Sequence, residues 1–539
     1  MNRRASNSLL ATRALCVLAV TTLLLMTAYI VVRMTTLFAT GYSIADVTMA
    51  VLLLGAELFL VFHGTGYFLS VLKVGRRRET ASPVAFCEYG PASVKPVAVL
   101  VAAFNESEEV LEETLASVCA MDYPAAHVYL LDDSTRAECR EGAARMAAKY
   151  RARLVQRTDR PGYKAGAIND LIPHLSEPFI ALLDADQRPL ASWLKEVVPA
   201  MEQDPGLAFI QAPQVYVNTE GLPVAEAAKY QQAVFFEYIC EGKSHSGAMF
   251  CCGSNVIIRR EALLAIECAV DGRRHFFDET SVTEDFATSF RLHAAGWETA
   301  YVNQTYVVGM GPETLPAYFT QQMRWAMGTL AVGLKLLRQL ATAPRTLRPG
   351  QWWEYLLSGT YYFVGFANFI FMVAPIVFML FDVRPLRTQS DLYLIFFVPY
   401  IIVTMNLFFL GMWLRGYSVR GIWLASALSF ASFWIYMKAA IVAVCGLKRA
   451  FGVTPKGVGG GAIPVTRMLP ELVMLLANCL AAVLGVYYLL ATGWSVAYVM
   501  NTMWATYHAV LLSTLFFYFN RPVTILTRRT LFEPVELAA

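Results

Sequence analysis

Asp184-Ala185-Asp186 sets two carboxylates one residue apart at the end of an apolar run, Phe179–Asp184. Oxygen ligands of this kind suit Mg2+ or Mn2+, hard cations that neutralise a diphosphate, with one Asp on the metal and the other on a ribose. Taken alone, such a pair also fits a solvated turn. Asp132-Asp133 closes an earlier run and reads equally well as a helix N-cap before Ala137. Lys164, within Gly162-Tyr163-Lys164-Ala165-Gly166, precedes a helix where a cation and the helix dipole can both face a phosphate. Thr283-Glu284-Asp285 fits an ordinary helix start, and it also offers Asp285 as a base for a hydroxyl proton. A base of that kind contributes ~10²–10⁴ in rate. Gln321-Gln322-Met323-Arg324-Trp325 supplies a planar guanidinium for phosphate oxygens and an indole face on which a pyranose ring stacks. An Arg-Trp pair also serves as an anchor at a membrane surface. Each signal is weak by itself. Their coincidence in one polar stretch points to transfer of a sugar from a nucleotide diphosphate.

The elements that must position these groups alternate. Val97–Phe104, Val128–Asp132, Leu154–Arg157 and Phe179–Asp184 read as strands, and Ser107–Cys119, Ala137–Tyr150 and Ala165–Leu171 as the helices between them. That βαβ pattern predicts a mostly parallel sheet with a nucleotide site at the strand C-termini, where both Asp pairs fall.

Around this stretch the chain is apolar. Of its 539 residues 56% are hydrophobic and 16% charged, with a mean hydropathy of +0.46, which indicates an integral membrane protein. A net charge of +3 and the lack of a basic stripe argue against a nucleic-acid partner. The ten cysteines follow no ligand spacing, and Cys251-Cys252 are adjacent, so free thiols in a reducing cytosol are expected. Ala14–Val32 and Val47–Leu72 are each long enough to span, with Arg3, Arg4 and Arg13 before the first and Lys73, Arg76, Arg77 and Arg78 after the second. This bias places the polar stretch in the cytosol. Glu57, inside the second span, either lines a polar path or bonds a neighbouring helix.

Further spans are expected near Tyr355–Phe381, Asp391–Met412, Met468–Thr492 and Ser495–Phe519. Ile422–Cys445 is apolar enough to span but carries Lys438. Laying it in the interface keeps Lys448, Arg449, Lys456, Arg467, Arg521, Arg528 and Arg529 inside, so six spans are expected.

These motifs, in this order, resemble those of family 2 membrane glycosyltransferases of the cellulose synthase type, over a match running from Ala14 to about Asn520. Gln211-Ala212-Pro213 and Phe250-Cys251-Cys252-Gly253-Ser254 resemble family segments at the acceptor site. Phe451-Gly452-Val453-Thr454-Pro455-Lys456 resembles the gating loop of β-glucan synthases. The resemblance implies an α/β GT-A-type, Rossmann-like cytosolic domain inserted in an α-helical bundle. Residues 1–80 would form two spans, 92–312 the catalytic domain, and 313–345 interfacial helices with the Arg-Trp motif. Residues 350–414 would form two more spans, 415–466 an interfacial helix and gating loop, 467–520 two spans, and 521–539 a short cytosolic tail.

By the same resemblance Asp132 contacts uracil, Asp184 the nucleotide, and Asp186 the metal, Mg2+ or Mn2+. Lys164 and Arg324 hold the diphosphate, Asp285 is the general base, and Trp325 stacks the terminal acceptor sugar. Thr454 and Lys456 close over UDP, and Asp133, Glu284 and Gln321 belong to the substrate-binding set. The implied activity is processive, inverting polymerisation of glucose from UDP-glucose onto a growing polysaccharide, secreted through the plasma membrane, with membrane lipid and accessory subunits as partners. Two departures weigh against cellulose itself: about twenty residues follow the last span, too few for a domain binding cyclic di-GMP, and the N-terminus has two spans where bacterial cellulose synthases have more. Curdlan-type (β-1,3) and mixed-linkage synthases compete. A hyaluronan- or chitin-type synthase fits less well, as does a transferase adding one sugar to a lipid carrier. A transporter is disfavoured by the lack of a Gly-x-x-x-x-Gly-Lys-Ser/Thr loop.

Overall fold

Val97–Ala103 is an unbroken apolar run, as expected of a strand covered on both faces. In the computed structural model, which describes residues 2–36, 42–80, 94–270, 272–386, 390–447 and 461–522, it is an interior strand of a seven-stranded sheet. The strands in chain order are β1 (Val97–Ala103), β2 (Ala126–Asp132), β3 (Arg153–Gln156) and β4 (Phe179–Asp184). After these come β5 (Gln187–Pro189), β6 (Leu207–Gln211), β7 (Val215–Tyr216) and β8 (Val256–Arg259). The last four are β9 (Cys268–Val270), β10 (Arg273–His275), β11 (Glu298–Tyr301) and β12 (Val307–Gly309). The large sheet has the order β11-β6-β8-β4-β1-β2-β3, with β8 antiparallel to both neighbours. A small sheet, β5-β12-β7, lies beyond the end of β4.

The two-residue strand period divides the core. Ala98, Leu100, Ile180 and Leu182 face one apolar layer with helix Tyr163–Leu171, while Val97, Val99, Val101, Ala181 and Leu183 face another with Trp193–Gln203. Register brings the acidic strand ends level: Ala103 pairs with Asp132, and Ala102 with Asp184.

Among the described residues, five helical segments are long and apolar enough to cross a membrane: Ala11–Thr35, Ile44–Gly75, Pro349–Phe381, Leu394–Leu414 and Val465–Thr492. They make the protein a multi-pass membrane protein whose sheet domain, by the charge bias, is cytoplasmic. The sixth expected span, Val496–Thr514, is helical and forms a tight hairpin with Leu469–Thr492. A methyl on Gly485 would stand 2.0 Å from Thr502 Oγ1. With Asn501, Thr502, Thr506 and His508 on it, this helix falls short of the apolarity of the other five. The Lys438-bearing segment is two helices, Val419–Ala431 and Phe433–Val444, bent by 47° at Ser432, which is compatible with a broken span or a re-entrant piece. Glu57 bonds a neighbouring helix: its carboxylate takes Arg33 Nε and Tyr29 Oη, each at 2.8 Å. Each described cysteine is a free thiol.

One long helix, Leu315–Thr342, carries the Gln-Gln-Met-Arg-Trp sequence from the sheet domain to the membrane helices. It crosses Pro349–Thr360 at Gly333 and Gly359, where a methyl on Gly333 would meet Gly359 O at 2.3 Å, so only glycine permits the backbone contact.

Candidate active site

The site is built where β4 ends. Lys164, in the first turn of Tyr163–Leu171, forms an ion pair with Asp184 and donates to the Gly253 carbonyl at 2.6 Å. Burial opposes charge on this ammonium, but the carboxylates of Asp184 and Glu284 outweigh it and raise the lysine above its ordinary value. Gly253 turns with φ +83°, and a methyl there would stand 3.0 Å from Asp285 Oδ2. A single loop thus touches the lysine and the candidate base. Gln211 holds that loop: its amide nitrogen donates to Ala212, Ser254 and Asn255 carbonyls, and its oxygen accepts from Cys252 N at 2.8 Å. Ser254 Oγ accepts from Asp184 N at 3.0 Å, fixing the strand end itself.

Glu284 and Asp285 form the first turn of helix Glu284–Ala294. Burial, then the adjacent Glu284, pushes Asp285 up to about 7, although Phe286 N and Lys164 pull the other way. Glu284 is also raised, by burial above all, with Lys164 and Arg324 opposing. Arg324 therefore lies within electrostatic reach of the same cluster. Tight packing puts it there: a methyl on Gly328, four residues on, would be 2.6 Å from Thr283 Cγ2 and 3.0 Å from Thr283 N. Trp325 is half-buried on this helix turn. Gln321 is buried; its Nε2 reaches Tyr216 Oη at 3.4 Å while its Oε1 has no partner among the described residues. Lys164, Asp184, Glu284, Asp285 and Arg324 are therefore one cluster.

Asp132 and Asp133 lie two strands away at the same edge, a separation of ~10 Å from strand spacing. Asp132 is fully buried and accepts from Ser134 N at 3.0 Å and Gln156 Nε2 at 2.7 Å. Asp133 is held by Arg157, whose Nε lies 3.0 Å from Oδ1 and which also binds Asp170 and the Pro161 and Tyr163 carbonyls. Arg157 shapes the loop into Lys164, a role that sequence reading missed because a lone arginine after a strand has no pattern. Asp186 is buried just past β4, where Thr114 Oγ1 donates to the preceding Ala185 carbonyl at 2.6 Å. Among the described residues no group of three or more His, Cys, Asp or Glu forms a metal cage. Paired carboxylates still fit Mg2+, which takes one or two protein carboxylates and completes its shell with phosphates and water. Thr454 and Lys456 lie outside the described residues.

This is a GT-A-like domain, with acidic strand ends, a lysine and a half-buried carboxylic acid, joined to membrane helices. Comparison with known proteins places it further. The family model "Glycosyltransferase like family 2" matches residues 95–328, and the model "Cellulose synthase" matches residues 272–519. Over these two stretches the chain is similar to the cellulose-synthase-like glycosyltransferases of family 2. It is 25% identical over 435 residues to the cellulose synthase catalytic subunit [UDP-forming] of Pseudomonas fluorescens, covering 78% of this chain and 56% of that protein. It is 30% identical over 292 residues to cellulose synthase 1 catalytic subunit [UDP-forming] of Komagataeibacter xylinus, covering 53% and 37% respectively. The chain thus spans little more than half the length of the first relative and less of the second. Among solved structures it is similar to a mannosyltransferase from Pyrobaculum calidifontis in complex with GDP-Man and Mn2+, at 15% identity and a TM-score of 0.43, covering 73% of this chain and 99% of that one.

Proposed function

We propose that the protein is a processive, inverting β-glucan synthase that polymerises glucose from UDP-glucose and passes the polysaccharide across the plasma membrane. The observation that carries this reading is the placement of Asp285. It stands against the Gly253 loop, beside Lys164 and within the field of Arg324, on a helix packed at Gly328 to the Arg-Trp helix that crosses a membrane span. The match to the cellulose synthase family model and the similarity to UDP-forming cellulose synthase subunits support UDP-glucose as the donor.

In this mechanism Asp285, ionised, accepts the proton of the acceptor hydroxyl as that oxygen bonds the anomeric carbon. The bond from that carbon to the diphosphate breaks on the opposite face, so configuration inverts. Lys164 and Arg324 hold the departing diphosphate, electrostatic help of the kind that often dominates such rates. Asp132 and Asp133 shape the nucleotide end, Glu284 and Gln321 complete the substrate-binding set, and the half-buried Trp325 face receives the terminal acceptor sugar. Mg2+ or Mn2+ on Asp186, with Asp184 beside it, would neutralise charge on the diphosphate. Thr454 and Lys456 would close over UDP.

Membranes containing the protein, given labelled UDP-glucose and Mg2+, should place label in high-molecular-weight material. Digestion with β-1,4- and β-1,3-specific glucanases then separates cellulose from curdlan or mixed-linkage product. Label found in solvent-extractable lipid alone would refute the polymerase and favour single-sugar transfer to a carrier.

A further inference from the structure

Three cations from three separate elements converge on a cavity remote from the transfer chemistry. Lys229 of helix Pro223–Val234, Arg420 of helix Val419–Ala431 and Arg521, just past Phe519, line a space of about 500 Å3 together with Glu226, Tyr230 and Tyr518. The volume suits a small polar ligand.

The internal pairing is thin. Arg420 has Glu226 at 3.7 Å and donates to Tyr518 Oη at 2.9 Å, with its side chain 70% exposed. Arg521 lies over the Tyr518 ring and donates to the Phe517 carbonyl of the preceding helical turn. Lys229 makes no ion pair or hydrogen bond among the described residues. With Glu220 at the rim, three positive charges face two negative ones. Among the described residues one positive charge is left unmet, which matches a single phosphodiester.

Position indicates the source of that phosphate. Arg420 follows shortly after the span Leu394–Leu414 ends, and Arg521 lies just past the end of the hairpin helix that returns from Gly493. Helix Pro223–Val234 of the cytosolic domain packs against Val419–Ala431 from the same side, and Tyr230 Oη meets Ser418 Oγ at 3.0 Å. Tyrosines beside cations at helix ends mark the depth of lipid head groups, and basic pockets between helices at the cytoplasmic face bind anionic ones. We propose that this cavity binds the phosphate of an anionic phospholipid of the inner leaflet. The proposal rests on the membrane placement and is independent of the glucan synthase reading.

The test uses the full chain, delipidated in detergent and supplied with phosphatidylglycerol, phosphatidylcholine or soluble glycerol 3-phosphate, with binding read by native mass spectrometry. Wild type should retain phosphatidylglycerol in preference to phosphatidylcholine. Lys229→Gln, Arg420→Gln and Arg521→Gln should each weaken it about five-fold, the effect of one cation near a lipid surface. Glu226→Gln should tighten binding by freeing Arg420, a change that general damage to the fold would not produce. Equal phosphatidylglycerol binding by wild type and the three cation variants would overturn the proposal. So would glycerol 3-phosphate binding as tightly as the lipid, since the occupant would then be a soluble phosphate.

Discussion

Asp285 is unusual for an aspartate because burial and Glu284 together hold its proton up to about 7. A base must be ionised to act, so kcat/KM should rise with pH through about 7 and level above it, as a pH series of initial rates would show. Folding has the opposite dependence. An acid raised above its usual value binds its proton more tightly in the folded state, so its stabilising contribution is complete below the ordinary aspartate range and is lost as pH rises to about 7. Asp285→Asn should therefore be at least as stable as wild type at pH 8 in a thermal melt, while polymer formation falls to background and UDP binding stays nearly intact. A variant that still polymerised at the wild-type rate would end the base assignment. The thiols at this loop are a contrast: burial pushes Cys251 well above its normal range, so it is a packing group and not a nucleophile.

At the scale of elements, the helix that begins with Glu284-Asp285 is fixed at its far end by a membrane span. His293 Nδ1 meets Tyr355 Oη at 2.7 Å, and Nε2 meets Thr299 Oγ1 at 2.9 Å; Thr299 in turn donates to the Met249 carbonyl. Because Thr299 Oγ1 gives its hydrogen to Met249, His293 donates from Nε2, and a ring kept neutral by burial and Arg348, with its pKa held down to about 4, accepts the Tyr355 hydroxyl at Nδ1. Phe286 and Phe290 also pack on the Tyr355 ring. Tyr355→Phe should lower kcat several-fold with KM for UDP-glucose unchanged. His293→Gln, which can accept and donate along the same line, should retain more activity than His293→Ala. Gly328 makes the other joint. Gly328→Ala would place a methyl 2.6 Å from Thr283, and a shift of about 1 Å at a catalytic element costs on the order of 10²-fold, so turnover should collapse while the protein still reaches the membrane. These joints explain what was legible in the chain. Asp132, Asp184 and Asp285 sit at strand and helix ends that apolar periodicity marks, so local pattern reveals them. Gly328, Arg157 and His293 act through contacts with partners distant in sequence, and no spacing rule announces those. The antiparallel β8 was equally hidden, since a strand's direction depends on which neighbour it meets.

The molecule as a whole is joined at Glu354, a carboxylate near the start of the span Pro349–Phe381. It accepts Lys73 Nζ from the second span at 2.8 Å, Ser246 Oγ at 3.0 Å and Lys243 Nζ at 3.2 Å, and Lys243 also reaches its backbone carbonyl at 2.9 Å. Lys243 and Glu354 are 1% and 2% exposed, so this pair has left water almost entirely. Taking two charges out of water costs several kcal/mol each, and their attraction offsets that only while both are present. Glu354→Gln keeps one acceptor oxygen but leaves Lys243 buried against a neutral amide. Breaking a buried pair in this way costs about 3–5 kcal/mol, so the variant should unfold at a clearly lower temperature in detergent and should lose polymerase activity through the displaced cytosolic domain. Combining it with Lys243→Met removes the stranded charge and fills the same space with an apolar side chain, which should recover most of the lost thermal stability. If the double variant melts no higher than Glu354→Gln alone, the seam is held by packing around Gly333 and Gly359 and not by this charge pair.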